Sequence, residues 1–493
     1  MGIVIRQSGV STLFTYIGTL IGFANTVILF PAFLSAEQIG LIRALPSAAY
    51  MIMPIAQLGM ARVLIKFAPE IRKTEDGLAQ FTLFVLIRVL MGGLFAAGMI
   101  YFFQGTISIL FAENAPLFND YFYVVIVLVL ILSLYTLLES YSRIFLKIVI
   151  VNIIREVLTR VMMSLGVSIY FLGWISFHQL TLGLIVVFAI ALISVLGYLV
   201  WEGHFRISIQ QGLINKDLKK RILSYAFFSL IGAGGGYVIL NIDQIMVTSL
   251  VGLDANGIYT TAFFFAVMIE LSRRAITQVT TPMVSEFFEN KDLAAIKKIY
   301  KQVSINQMVI GLFLFIGITC NMHNVYEIMP NGCVYEAGYW VVFLIGIAKL
   351  VDMSFGNNGE IITMSDHYRF NVVTMAILAG FMIFLNYLLI PMYGINGAAL
   401  ATVSSVVIFN LIKMTFIKMK LGFVPFCKNS LILLAVSIVV FLVGFYLPQF
   451  DNPFFDVFVR SAVITGLYGL SVYFLKISIE INSLISQMLK IFK

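Results

Sequence analysis

Apolar runs of about twenty residues, parted by short polar stretches, recur along the whole chain. Each is long enough to cross a bilayer as a helix. The runs predict fourteen spans, at 8–33, 40–65, 78–103, 119–141, 148–173, 180–201, 221–250, 256–285, 302–320, 338–362, 370–391, 394–418, 430–448 and 456–476. The ten-residue alternating segments of a membrane β-barrel are absent. The pattern therefore predicts an all-α polytopic membrane protein. The first run continues to Leu34 with no small-residue cleavage site, so it is expected to be a span rather than a removed signal peptide.

The polar punctuation adds a topology. Of the 32 Lys and Arg, 23 fall on one side of the predicted membrane, counting those at helix ends, in segments such as "KFAPEIRK", "INKDLKKR" and "KDLAAIKKIYK". The opposite side holds "FLSAEQ", "GTISILFAENAPLFND", "GWISFHQL", "VGLDAN", "CNMHNVYEIMPNGCVYEAG" and "PQFDNPFFD", with none. Basic loops stay cytoplasmic, so both termini are expected there. The net charge of +8 is thus a topology signal and does not point to nucleic acid. With 60% apolar and 11% charged residues, the chain lies far from a globular composition, in which about a quarter is charged.

A weak repeat runs through the same map. "LSAEQIGLIRA" opens the second span and "GLDANGIYTTA" the eighth, with Gly40 and Gly257 in register. Each of these spans ends in an acid, Glu70 and Glu286. An offset of six spans keeps both copies in one orientation, so it predicts two six-helix bundles related by a pseudo-twofold axis along the membrane normal. The expected division is 1–207, 208–422, two additional helices at 423–476, and a cytoplasmic amphipathic tail at 477–493.

Charges within the spans are the candidate chemistry. "FFFAVMIELSRRAITQV" sets Glu270, Arg273 and Arg274 in the middle of the eighth span. An intramembrane charge costs roughly 2.5–3.5 kcal/mol on insertion scales and is seldom present without a partner or a purpose. Arg88, Arg155, Glu156, Arg160, Asp243, Lys349 and Asp352 lie at comparable depth. Local neutralisation is one reading: Glu270 reaches Arg273 and Arg274, Glu156 reaches Arg160, and Lys349 reaches Asp352, all three or four residues apart on one helix face. It leaves a surplus, because one acid cannot neutralise two arginines and Arg88 has no acid within a turn. The other reading is a cationic cavity of Arg88, Arg160, Arg273, Arg274 and Lys349 that binds phosphate through planar guanidinium forks. Asp243, Glu270 and Asp352 would then be coupling groups or charge partners.

Other features are weaker. "GAGGGY" at 232–237 permits close helix packing or local unwinding. Asn25 and the amides Asn357 and Asn358 of "SFGNNGE" suit sugar hydroxyls, and equally an interhelical hydrogen bond or a helix end. Cys320 and Cys333 share an outer segment, where a disulfide is allowed. The four histidines fall in connections, which excludes a histidine relay. No phosphate-loop motif, metal-ligand spacing, cofactor motif or hydrolytic constellation is present, so the chain is expected not to be an enzyme.

"LSAEQIGLIRA", "FAPEIRK", "NIDQIMVTSLVGLDANGIYTTA" and "YGINGAALATVSS", in that order over fourteen spans, resemble the polysaccharide-transporter branch of the multidrug/oligosaccharidyl-lipid/polysaccharide exporter superfamily. The resemblance implies an O-antigen or capsule repeat-unit flippase. Such a protein moves a polyprenyl-diphosphate-linked oligosaccharide from the cytoplasmic to the outer leaflet by alternating access. It further implies residence in a bacterial or archaeal cytoplasmic membrane, contact with membrane lipid, and glycan polymerase or glycosyltransferase partners. A peptidoglycan-precursor flippase and a cation or drug antiporter of the same superfamily are the alternatives.

Overall fold

A computed structural model describes residues 2–72, 77–208 and 216–483. Thirteen of its helices are long and apolar enough to cross a membrane: α1 (Gly9–Phe33), α2 (Ala36–Gln57), α3 (Gly77–Ala112), α4 (Phe122–Ile144), α6 (Phe177–Trp201), α7 (Lys216–Leu250), α8 (Leu253–Glu289), α9 (Leu293–Ile328), α10 (Gly332–Ser354), α11 (Arg369–Tyr393), α12 (Ile395–Leu421), α13 (Lys428–Tyr446) and α14 (Pro453–Phe474). The remaining expected span is α5, unbroken over 148–171 but passing through a π-helical turn at Ile154–Leu158. Its charges Arg155, Glu156 and Arg160 lower its hydropathy, while its length of roughly 36 Å still suffices for a crossing. No strand occurs among the described residues. The chain is an all-α multi-pass membrane protein.

Two connections expected from the sequence are helical. α3 runs on through 104–112, because nothing breaks the helix before Pro116. α9 likewise continues through 320–328, stopping just before Pro330 and Gly332. α10 ends at Ser354, Gly356 takes φ +59°, and Asn358–Met364 resumes as a short helix.

The chain divides into two compact units, Met1–Gly257 and Ile258–Lys493. The sequence placed a boundary at 207/208, and the difference is α7. This helix packs on α2, with Tyr50 and Tyr237 stacked at 6.2 Å and Ser47 Oγ donating to Gln244 Oε1 at 2.8 Å. In the second unit α13 and α14 join the core: Tyr468 Oη donates to the Val309 carbonyl at 2.8 Å, and Leu433, Val440 and Ile464 pack with Ile316. Of the expected tail, 484–493 lies outside the described residues.

The repeat glycines meet within the first unit. A Cβ on Gly40 would overlap the Leu253 carbonyl, and one on Gly257 would overlap that of Ala36. Asn256 Nδ2 donates to the Gly40 carbonyl at 3.0 Å, closing the crossing. Only glycine lets two backbones approach this far.

Candidate functional site

Each unit gathers intramembrane charges into one network. In the second unit α8 contributes Glu270 and Arg273, one turn apart, and α10 contributes Lys349 and Asp352 at the same spacing. The pairing is crosswise between helices. Arg273 Nη1 lies 2.6 Å from Asp352 Oδ2, and Lys349 Nζ lies 2.6 Å from Glu270 Oε2. The same-helix contact of Arg273 with Glu270 is longer, 3.5 Å. The expected Lys349–Asp352 neighbour pair does not form, because the facing helix offers each group a better-aligned opposite charge.

Polar side chains tie the network down. Asn410 Nδ2 donates to Asp352 Oδ1 at 3.2 Å, and Asn358 Nδ2 donates to Asn410 Oδ1 at 2.7 Å. Asn357 accepts from Thr277 Oγ1 at 3.1 Å and Gln307 Nε2 at 3.4 Å, and donates to Thr280 Oγ1. Both asparagines are buried, so the "SFGNNGE" break serves to fasten α10 to α8, α9 and α12. Lys413 of α12, missed from the sequence, is buried with Nζ 3.8 Å from the Phe409 ring centroid. A Cβ on Gly359 would lie 3.2 Å from that ammonium. Glu360 is beside it in sequence, and its Oε2 is buried without a hydrogen-bond partner among the described residues.

The charge balance follows. Arg273, Arg274, Lys349 and Lys413 stand against Glu270, Asp352 and Glu360, a formal surplus of one positive charge. Arg273 and Lys349 are consumed by their partners. Arg274 is exposed and has no ion-pair partner among the described residues.

In the first unit the π turn of α5 brings three arginines to two acids. Glu139 Oε1 receives Arg143 and Arg155, each at 2.7 Å. Glu156 receives Arg155 at 3.2 Å and Arg160 at 3.0 Å. The added residue of a π turn shifts the side chains that follow it, and a Cβ on Gly18 would strike the Glu156 carbonyl carbon and Cβ. Asn25 donates to the Arg160 carbonyl at 3.0 Å and accepts from Ser164 Oγ at 2.6 Å, which makes it a link between α1 and α5. Arg43, read from the sequence only as part of a repeat, donates to Thr26 Oγ1 at 2.9 Å.

Two expected residues stand elsewhere. Arg88 is half-buried over the Phe84 ring at 5.2 Å and makes no ion pair among the described residues. Asp243 is buried on α7, in the other unit from Glu270 and Asp352. The allowed disulfide is corrected: Cys320 and Cys333 are both free. Cys320 lies inside α9 with Sγ 3.7 Å from the Phe441 carbonyl, whereas Cys333 is exposed in a short helical turn beyond the end of that helix.

Beside the charges lies an apolar groove of about 590 Å³, lined from α9, α10 and α13 by residues including Leu312, Phe315, Leu350, Leu434 and Phe441. Ile347, Leu350, Val351 and Ser354 line it from α10. Helical spacing puts Lys349 and Asp352 on the opposite face of that helix.

A sequence profile described as "Polysaccharide biosynthesis protein" matches residues 4–288, more than half of the chain. The chain belongs to this family. An uncharacterized membrane protein of Methanocaldococcus jannaschii is 24% identical over 473 residues, covering 92% of each chain. Among solved structures, a lipid II flippase MurJ in an inward closed conformation superposes with TM-score 0.77 at 13% identity, over 94% of this chain and 98% of that one. An inward-facing multidrug resistance MATE family transporter of the MOP superfamily gives 0.61 at 10% identity, over 84% and 98%. A MOP superfamily transporter from Pyrococcus furiosus, described as having a binding pocket of reverse polarity, gives 0.53 at 11%, over 85% and 95%. This family member therefore has the fold shared by those transporters.

Proposed function

We propose that the chain is a flippase for a polyprenyl-diphosphate-linked oligosaccharide, moving it from the cytoplasmic to the outer leaflet of a cytoplasmic membrane. One observation carries the reading: a single helix, α10, separates a charge network with surplus cation from a membrane-depth apolar groove. An amphiphile with an anionic head and a long apolar tail matches both faces. Arg274, with Lys413 of the same unit, would meet the diphosphate, while the groove takes part of the polyprenyl chain. Glu270 and Asp352 would hold Arg273 and Lys349 in place, so they maintain the site's shape rather than its net charge.

In this reading the two units act in alternation. A potential negative inside favours outward movement of the anion by roughly 2.3 kcal/mol per charge per 100 mV. Both termini would be cytoplasmic, and glycosyltransferases on that side would supply the substrate to be polymerised outside. Family membership and the MurJ-like and MATE-like fold support transport over catalysis. The surplus of basic over acidic side chains favours an anionic lipid over a cationic drug.

The test is reconstitution in liposomes with a fluorescent polyprenyl-diphosphate disaccharide. Protein-dependent translocation, reduced at least tenfold by Arg274→Ala, is expected. Translocation no faster than in protein-free vesicles, under imposed potential and under proton and sodium gradients, would reject the proposal.

A further inference from the structure

We propose that the second unit also carries a binding site for an uncharged pyranose ring, in a polar cavity of about 360 Å³ lined from α9, the start of α10 and the α13–α14 region. The inference rests on the flippase reading for its biological sense, since this end of the unit is built from "CNMHNVYEIMPNGCVYEAG" and "PQFDNPFFD", the segments free of Lys and Arg that the charge pattern assigns outside. The cavity itself does not depend on that reading. Its volume lies within the roughly 300–1,000 Å³ of small-molecule sites.

At its base is a buried ion pair. Arg460 Nη2 lies 3.1 Å from both oxygens of Asp456, whose Oδ2 also accepts from Asn324 Nδ2 at 2.7 Å. Arg460 donates further to the carbonyls of Gly444 and Leu447 at the end of α13. This clamp explains how α14 is held to α13, and it does not explain the space beside it. Two cavity-lining residues keep buried polar atoms with no hydrogen-bond partner among the described residues, Tyr326 Oη and Arg460 Nε. Tyr326 is 5% exposed and Arg460 3%. A polar atom left so costs free energy unless a ligand or solvent meets it.

The lining selects the ligand. Arg460 is neutralised by Asp456, and at the rim His323 Nδ1 lies 3.8 Å from Glu336 Oε1. With no net positive charge, the cavity is unsuited to phosphate. Asp456 is already engaged by Arg460 and Asn324, so it is not available to hold a cation. The Glu336 carboxylate stands at the rim, with its side chain 58% exposed to solvent; the rest of the lining is a neutral set of donors and acceptors, including the Gln449 amide, beside the aromatic rings of Tyr326 and Tyr339. A pyranose offers hydroxyls to the polar groups and an apolar C–H face to a ring. The site would receive a sugar of the glycan after translocation.

The experiment uses the full-length protein in lipid nanodiscs and saturation-transfer NMR with the methyl glycosides of glucose, galactose, mannose and N-acetylglucosamine. At least one is expected to bind, with affinity lowered about fivefold by Gln449→Leu, the loss of one neutral hydrogen bond, and at least as much by Tyr339→Ala. Gln449 is exposed, so its substitution keeps the test open should Tyr339→Ala misfold. No binding by any of the four would overturn the proposal, as would binding indifferent to both substitutions. Binding lost in Arg274→Ala but kept in Gln449→Leu would place the sugar at the transport site and also overturn it. The flippase reading fails separately: if translocation is absent while glycoside binding responds as expected, the pocket stands and that reading falls.

Discussion

Removing both members of a crosswise pair should cost far less than the sum of removing each alone. Lys349 and Glu270 approach to 2.6 Å with side chains 20% and 15% exposed, so each is largely withdrawn from water. Breaking a buried ion pair by deleting one partner costs about 3–5 kcal/mol, chiefly because the other charge is stranded, while replacing both is often near neutral. Glu270→Gln should sit at the lower end, about 3 kcal/mol, given the residual exposure. Lys349→Gln should cost about 2 kcal/mol, because Arg273 still backs Glu270 at 3.5 Å. The double variant should also cost about 2 kcal/mol, a coupling of about 3 kcal/mol where independent sites agree within roughly 0.5. An unfolding entropy of about 2.1 cal/mol/K per residue makes 1 kcal/mol worth about 1 °C in a chain this long. Thermal unfolding in one detergent should therefore show Tm falling by about 3, 2 and 2 °C. A fall of about 5 °C in the double variant would refute the crosswise pairing. The double variant also keeps the formal surplus of one positive charge, so it should retain transport that Arg274→Ala loses.

Three further outcomes follow from the geometry. Gly40→Ala or Gly257→Ala should each cost about 1–3 kcal/mol through overlap with a facing carbonyl, whereas Gly98→Ala, with nothing within 4 Å, should leave Tm unchanged or raise it. Mass spectrometry after maleimide treatment should find Cys333 modified in the native protein and Cys320 only after denaturation, identically with and without reductant. Leu434→Trp, at a position 44% exposed in the groove, should slow translocation severalfold without lowering Tm; normal transport in a folded variant would separate the groove from function.

The span pattern was legible because bilayer thickness imposes a length that hydropathy reads directly. The candidate charges were legible for the same reason: Glu270, Arg273 and Lys349 stand out against apolar neighbours. Their partners were not. Spacing along one helix named Glu270–Arg273 and Lys349–Asp352, but which helix faces which is settled by packing, and the pairs cross between α8 and α10. Lys413 was passed over because its span contains no acid, and its environment comes from α10. Asp456 and Arg460 obey the same i, i+4 rule used elsewhere; the pair was missed because Asp456, at the very start of the predicted last span, was counted with the connection "PQFDNPFFD", although α14 already begins at Pro453. Asn25 makes the interhelical hydrogen bond that was its alternative reading, and Asn358 lies at the helix end that was its own.

The central claim is tested most directly in the cell. The gene is deleted in its host and complemented with wild type, Arg274→Ala or Glu270→Gln/Lys349→Gln at matched protein levels. Polyprenyl-diphosphate oligosaccharides are then quantified by mass spectrometry of lipid extracts. The account predicts accumulation in the deletion, clearance by wild type and by the charge-balanced double variant, and persistence with Arg274→Ala. Lipid-linked saccharide at wild-type levels in the deletion strain, while it is making the glycan, would contradict it.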